Sequence, residues 1–512
     1  MKLAIRLLLV FALAVPLLAA PRKADFNGDG FDDLAVGAPL EDDGAVADSG
    51  GINIMYGTLG GLPTGSDYWD QTLIGIAGVV NQPGDLFGRS LAWGDFNGDG
   101  FDDIAVGVPG KNGDTGAVIV VYGSAIGIDP FGAVAPQVWH QNTFGVPEVA
   151  DPGDRCGWSV TAGDFDGDGF DDLVFGCPTE AFVAAGEGVA IALYGTAGGL
   201  TAAAAELWHQ DIAGILDVAE PSDHFAMSLT TGDFDGDGND DLAVGVPHED
   251  VAATADAGAV HVIYGMAAVG LDVAGNDFGH QAIAGMLGAA AAGDAFATAV
   301  AAADFDADGF DDLAVGVPFD DGAAIVDAGA VNVLYGTAAG IAIAGNQYWH
   351  QNSGIVSDGA ENNDNFGQAL ATGDFDGDGD FDLAIGVPAE DVVATADAGA
   401  VNLILGSPAG GLVVAGSQFW DQNASSDIAE NADVYGATLV GGDFNGDGFD
   451  DLAGGAPKED SALGILDAGA VIVFNGDPAG LTSIGNQYRE QDGLGNGLAE
   501  ALDGYGGGIY GP

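Results

Sequence analysis

Apolar residues in this chain gather in short runs, each closed off by Gly, Pro or Asp, and helical periodicity is hard to find anywhere. DIAVGVP at residues 103–109, DLAIGVP at 382–388 and GAVHVIYG at 258–265 show the type. Short Val- and Ile-rich runs bounded by turn residues predict β-strands. They recur in a fixed order. A run ending in Pro is followed by an acidic turn, then by DAGAV-type sequence opening a second run. Next comes a segment with a Trp-His-Gln triplet, as in Trp139-His140-Gln141, Trp208-His209-Gln210 and Trp349-His350-Gln351. An aromatic–Gly pair opens the unit at Phe87-Gly88, Phe366-Gly367 and Tyr435-Gly436, drifting to Phe225-Ala226, Phe296-Ala297 and Cys156-Gly157. Each unit therefore offers four strands.

Between the aromatic–Gly pair and the first run stands an Asp-rich nonapeptide, DFNGDGFDD or a close variant. Its seven copies start at Asp25, Asp95, Asp164, Asp233, Asp304, Asp374 and Asp443, in steps of 70, 69, 69, 71, 70 and 69 residues. A period that regular marks repeated supersecondary units. Four strands repeated seven times predict an all-β fold, a seven-bladed β-propeller occupying residues 21–512. The ring has its own closure. Residues 505–512 align with residues 87–94, the strand before the second loop, whereas the first loop has no such strand ahead of it. The tail is predicted to complete the first blade, which removes two sheet edges that would otherwise invite aggregation.

Composition fits a folded chain: 48% of residues are hydrophobic, and 88 glycines read as turn residues. Charge narrows the partners. Nine Lys and Arg against 78 Asp and Glu leave a net charge of −69, which repels nucleic acid and anionic membranes. Residues 1–20 read as a signal peptide, with Lys2 and Arg6 ahead of the apolar residues 7–15 and small Ala19 and Ala20 at the end. No later segment is apolar over eighteen residues. The expectation is an acidic, secreted or cell-surface protein without a membrane span, acting as a monomer.

Paired carboxylates at alternate positions of a tight loop point at one centre, and packing them together is costly unless a cation sits among them. Positions 1, 3, 5 and 9 supply side chains and position 7 a backbone carbonyl. The predicted ligands are Asp25, Asn27, Asp29, Phe31 and Asp33 in the first loop, then Asp95, Asn97, Asp99, Phe101 and Asp103 in the second. They continue as Asp164, Asp166, Asp168, Phe170 and Asp172, then Asp233, Asp235, Asp237, Asn239 and Asp241. The fifth loop offers Asp304, Asp306, Asp308, Phe310 and Asp312, and carries Ala307 where the others have Gly. The last two offer Asp374, Asp376, Asp378, Asp380 and Asp382, and Asp443, Asn445, Asp447, Phe449 and Asp451. Hard oxygen donors in a flexible loop suit calcium, up to seven Ca²⁺ in all. The loop is not an EF-hand, because position 12, where that motif has its bidentate Glu, is Val36 or another strand residue.

The order aromatic–Gly, then D-x-D-G-D-G-x-x-D, then G-[AV]-P resembles the FG-GAP repeats of the integrin α-subunit headpiece, over essentially the whole chain after residue 20. That resemblance implies calcium in hairpin loops on one face, ligand binding on the opposite face, and a role in adhesion or extracellular recognition, with a protein or glycan partner. Unlike an integrin α-subunit, every unit here has its metal loop, and no inserted domain, leg domain or membrane span interrupts or follows the repeats. A stand-alone exported relative, as found in bacteria, fits better.

A catalytic residue belongs to one site. His140, His209, His280 and His350 occupy the same slot of successive units, with Asp70, Asp421 and Glu490 in the others, so they read as structural; the neighbouring Trp and Gln are expected to pack and hydrogen-bond between blades. No nucleophile elbow, zinc helix or P-loop is present in the sequence. The reading is a non-enzymatic recognition module. The alternatives are a propeller hydrolase or lyase with its site in the central depression, and a purely structural surface protein. Cys156 and Cys177 replace an aromatic and a Val or Ala of the other units, eight residues before the third loop and five after Asp172. They fall nearly opposite each other in a hairpin, which predicts a disulfide in an exported protein; two separate buried thiols are the alternative.

Overall fold

A computed structural model describes residues 24–182, 185–322, 325–354, 359–408, 410–425, 428–461, 465–491, 505–506 and 508–510. The predicted signal segment at residues 1–20 lies outside them. The chain folds into seven four-stranded antiparallel sheets, and among the described residues helix is confined to single turns. The innermost strands, Leu91–Gly94, Val160–Gly163, Ser228–Gly232, Val300–Ala303, Leu370–Gly373, Thr438–Gly442 and Gly508–Tyr510, neighbour one another in a closed ring around the axis. This is the predicted seven-bladed propeller.

Each blade is ordered by burial. Second strands such as Asp172–Cys177 and Asp241–Val246 are buried at every residue, because both faces pack against neighbouring blades. That explains their unbroken apolar sequence. Outer strands such as Thr201–Trp208 mix buried, intermediate and exposed positions. Gly508–Tyr510 joins the first blade beside Leu34–Ala38, in register Ala35↔Tyr510 and Gly37↔Gly508. The strand predicted from the tail alignment thus completes blade 1.

Two devices couple consecutive blades. The aromatic of each aromatic–Gly pair enters the core, with Phe87, Phe296, Phe366, Tyr435 and Tyr505 fully buried, and bridges a glycine that precedes the third strand of the blade before it: Gly50↔Phe87, Gly258↔Phe296, Gly329↔Phe366, Gly399↔Tyr435, Gly469↔Tyr505. Only glycine fits there, since a Cβ on Gly50 (φ 79°) would lie 2.1 Å from the Phe87 carbonyl oxygen. The second device is the triplet glutamine. Its Nε2 donates to an acid of the next blade: Gln210 to Glu249 at 2.6 Å, Gln281 to Asp320 at 3.2 Å, Gln422 to Glu459 at 2.6 Å, Gln491 to Glu41 at 2.5 Å, and likewise Gln141 to Glu180 and Gln351 to Glu390. The predicted inter-blade bonding of the triplet is met by Gln, whereas the indole N–H of Trp139 and Trp349 turns to the Gln two residues earlier in its own strand.

Candidate metal centre

Six of the Asp-rich loops join the inner strand of a blade to its second strand, and the first leads into the second strand Leu34–Ala38 at the same end, so all seven lie on one face of the ring. Position 1 organises the turn. Asp25 accepts the N–H of Asp29 at 3.0 Å on Oδ1 and of Gly30 at 2.8 Å on Oδ2, and Asp95, Asp164, Asp233, Asp304 and Asp443 repeat the pair. Asp374 accepts from Gly379 at 3.1 Å. The position-6 glycines have φ between 87° and 94°, the left-handed conformation that the sharp turn requires.

Position 9 is an anchor as well as a candidate ligand. One carboxylate oxygen of Asp33 accepts the Phe26 N–H at 2.9 Å, and the other accepts the Gly57 N–H at 2.9 Å from beyond the third strand. The second of these bonds occurs in all seven blades, from Gly57, Gly123, Gly195, Gly265, Gly336, Gly406 and Gly476.

The alternate positions converge. Asp164, Asp166 and Asp172 offer oxygens within 4.8 Å of one another, as do Asp233, Asp235 and Asp241, and Asp374, Asp376 and Asp382. In the fifth blade the group is Asp304, Asp306 and Asp308. Where position 3 is Asn the geometry is kept: the Asn97 amide reaches both oxygens of Asp103 at 3.3 Å, and Asn445 reaches those of Asp451 at 3.0 and 3.2 Å. In the first loop Asn27 instead accepts from Asp29 N–H at 2.8 Å. Position 5, which joins the group in the fifth blade, also braces the turn. The carboxylates of Asp29, Asp99, Asp168, Asp237, Asp308, Asp378 and Asp447 each accept the N–H of position 7, at Phe31, Phe101, Phe170, Asn239, Phe310, Asp380 and Phe449. These donor sets are all-oxygen and fit a hard divalent cation.

Burial sets the electrostatics. Desolvation, with the charges of the other loop carboxylates behind it, pushes Asp33, Asp172, Asp241, Asp312, Asp382 and Asp451 up to about 8 and Asp103 to about 9. A cation among them would reverse the shift.

Position 7 does more than the sequence suggested. A Cβ on Gly28 would meet the Phe101 ring at 2.6 Å, so each position-7 phenyl lies over the position-4 glycine of the preceding blade; Phe170, Phe310, Phe449 and Phe31 do the same over Gly98, Gly236, Gly377 and Gly446. The sixth copy has Asp380 at position 7, and the fifth copy, which would lie beneath it, is the one with Ala307 at position 4.

Position 8 was missed by the sequence reading, which followed the odd positions. The Asp102 carboxylate accepts the N–H of Asp25, the first residue of the preceding blade's loop, at 2.7 Å. Asp171, Asp240, Asp311, Asp450 and Asp32 bond Asp95, Asp164, Asp233, Asp374 and Asp443 in the same way. The seventh position-8 residue is Phe381. The signal was present: Asp fills this off-parity position in six of seven copies.

Cys156 and Cys177 are joined by a disulfide with Cα atoms 4.0 Å apart, in the third blade. His140, His209, His280 and His350 sit in separate blades directly after the outer strands, where the His140 and His350 N–H groups donate to Thr143 and Ser353 hydroxyls.

With the loops and blades in place, comparison with known families becomes decisive. The FG-GAP repeat model matches seven segments, residues 20–52, 87–121, 157–193, 225–263, 296–334, 366–401 and 435–474, one for each loop. The chain belongs to the FG-GAP repeat family. Among curated relatives, the phosphatidylinositol-glycan-specific phospholipase D of Bos taurus is 34% identical over 182 residues, covering 34% of this chain and 20% of that protein. Integrin alpha-7 of Mus musculus is 37% identical over 155 residues, covering 30% and 11%, and integrin alpha-PS2 of Drosophila melanogaster is 29% identical over 246 residues, covering 47% and 16%. The chain thus spans a fifth or less of these relatives' length. Among solved structures, a rhamnogalacturonan lyase of Bacillus licheniformis aligns over 69% of this chain and 68% of its own at 11% identity, with a TM-score of 0.29, too low to bear on activity.

Proposed function

We propose that this FG-GAP chain is an exported, calcium-stabilised recognition module that binds an extracellular protein or glycan without catalysing a reaction on it. The observation that carries this reading is the convergence of positions 1, 3 and 9 in the Asp-rich loops on one face of the ring. Asp166, Asp235 and Asp376 would hold calcium with their position-1 and position-9 partners, and the cation would fix the turn and relieve the carboxylates of mutual repulsion. The opposite face is then available for a partner. Its connecting loops present Phe144, Val393 and Ile428 to solvent at 100%, 97% and 72% exposure, apolar groups suited to a binding surface. The axial channel is lined mainly by aliphatic and threonine side chains of the inner strands, among them Thr161, Thr231, Ala302 and Thr372, joined by Trp93, Phe381 and the aspartates Asp233, Asp240 and Asp311. No helix among the described residues is long and apolar enough to cross a membrane.

The test is a pull-down from extracellular fractions together with a glycan array, each run with calcium and with chelator. Calcium-dependent capture of a ligand, lost on replacing Phe144 and Ile428 by Ser, supports the reading. Turnover of a captured glycan or lipid by the purified chain would overturn its non-catalytic part.

A further inference from the structure

A second ring of acids lies at the blade junctions on the face opposite the Asp-rich loops. In five blades the second strand begins at a loop's position 9 and ends beside a buried acid, Glu180, Glu249, Asp320, Glu390 or Glu459, that receives the preceding blade's glutamine. The connection between blades brings a buried aspartate to the same junction. At the fourth blade this is Asp223, and oxygens of Asp223, Glu249 and Glu220 lie within 4.8 Å of one another.

Two further observations point to what the cluster takes. The first is the glutamine. Gln210 is 1% exposed, its Nε2 donates to Glu249 Oε2 at 2.6 Å, and its Oε1, on the same planar amide, has no hydrogen-bond partner although it is buried. The same atom is buried without a partner in Gln141, Gln281, Gln351, Gln422 and Gln491, and also in Gln71 beside Lys111. A buried carbonyl left unpaired costs about 1–3 kcal/mol, and seven occurrences argue against accident. Turning the amide half a revolution sets that oxygen toward the carboxylates, an arrangement that a cation between them makes favourable.

The second is a substitution. At the second blade the acid is replaced by Lys111, 6% exposed, whose Nζ lies 2.8 Å from Asp85 Oδ2 and 2.6 Å from the Val80 carbonyl oxygen. Asp85 corresponds to Asp223 and Val80 to Val218, five residues earlier in each connection. Here the chain supplies its own cation, where the other junctions set carboxylate against carboxylate. The Gln71 amide still donates to Asp85, at 2.8 Å.

We propose that the junction at the fourth blade, and its counterparts with Gln and two acids, are divalent-cation sites of the calcium class, separate from the Asp-rich loops. Glu249, Asp223 and Glu220 supply the charge, and the Gln210 carbonyl supplies a neutral oxygen, a hard donor set of the kind calcium takes. A cation there would tie three segments of two blades together at the face opposite the loops.

Counting bound calcium by native mass spectrometry of the secreted chain, at saturating then desalted calcium, tests this. Glu249→Gln should bind one ion fewer than the unsubstituted chain, and Lys111→Glu, which restores the acid, one ion more. A loop variant, Asp235→Asn, serves as reference, because a loss there reports on the Asp-rich loops alone. Unchanged counts in folded Glu249→Gln overturn the proposal in favour of a proton shared by the acids, whatever the loops bind. If Lys111→Glu does not fold, Glu249→Gln decides alone.

Discussion

Asp102 of the second loop accepts the backbone N–H of Asp25 of the first at 2.7 Å, and the Asp102 N–H in turn donates to the Asp25 carbonyl at 3.2 Å. Such reciprocal pairs tie six of the seven Asp-rich loops to the one before, so a cation that ordered one loop would also steady its neighbour. Removing one carboxylate leaves a buried N–H without its charged acceptor. Asp102→Ala should therefore lower unfolding free energy by about 1–3 kcal/mol, measured by urea denaturation at saturating calcium. The same change at the exposed Asp211 serves as control, and equal losses at both would contradict the latch.

How far the fold could be read in advance follows from distance along the chain. The loop period, the four runs per unit and the tail strand are local patterns repeated seven times, and all three appear in the structure. The alternate acidic positions were legible because their partners lie within nine residues. Position 8 was not, because its partner is 76 to 78 residues away in another blade, or 411 where the ring closes. The buried acid that receives the glutamine was hidden likewise, since Gln210 and Glu249 are 39 residues apart and the sequence shows only an acidic turn. The overlay of position-7 phenyl rings on position-4 glycines accounts for Ala307, since the sixth copy carries Asp380 in place of the phenyl.

Ala226 and Ala297 hold the place of the glycine in the aromatic–Gly pair and adopt φ of 65° and 70°. A side chain in the left-handed region is strained, at a cost of order 1 kcal/mol. Ala226→Gly and Ala297→Gly should each stabilise the protein by up to about 1 kcal/mol, the greater unfolded-state freedom of glycine offsetting part of the gain. Both are checked by denaturation, and destabilisation in both would contradict the strain.

The disulfide yields a direct chemical prediction. Unreduced, denatured protein should show no alkylatable thiol at Cys156 or Cys177, and two after reduction. A crosslink over 21 residues contributes about 2–4 kcal/mol, so the paired Ser substitution should lower the melting temperature.

The response of stability to pH should differ with and without calcium. In calcium-free protein, burial raises Asp33 from 3.8 to about 8 and its position-9 counterparts similarly. Above pH 4 the folded chain then keeps protons that the unfolded chain has released, so stability falls as pH rises towards 8. With calcium bound these carboxylates stay ionised, their folded values drop below the unfolded ones, and neither state takes up protons at these positions between pH 5 and pH 8, so the fall disappears. Melting curves from pH 5 to pH 8, in chelator and in calcium, measure both slopes; a falling slope in both would contradict cation binding at position 9.

The calcium-loaded ring itself is tested most directly by calorimetric melting of the secreted protein in millimolar calcium and in excess chelator. Extracellular sites of this kind bind at roughly 10⁻⁴–10⁻³ M. At ten times that concentration each contributes about 1.4 kcal/mol, and seven loops on the order of 10 kcal/mol. The account predicts a melting temperature that drops markedly in chelator and returns on adding calcium. The same melting temperature in both would contradict it.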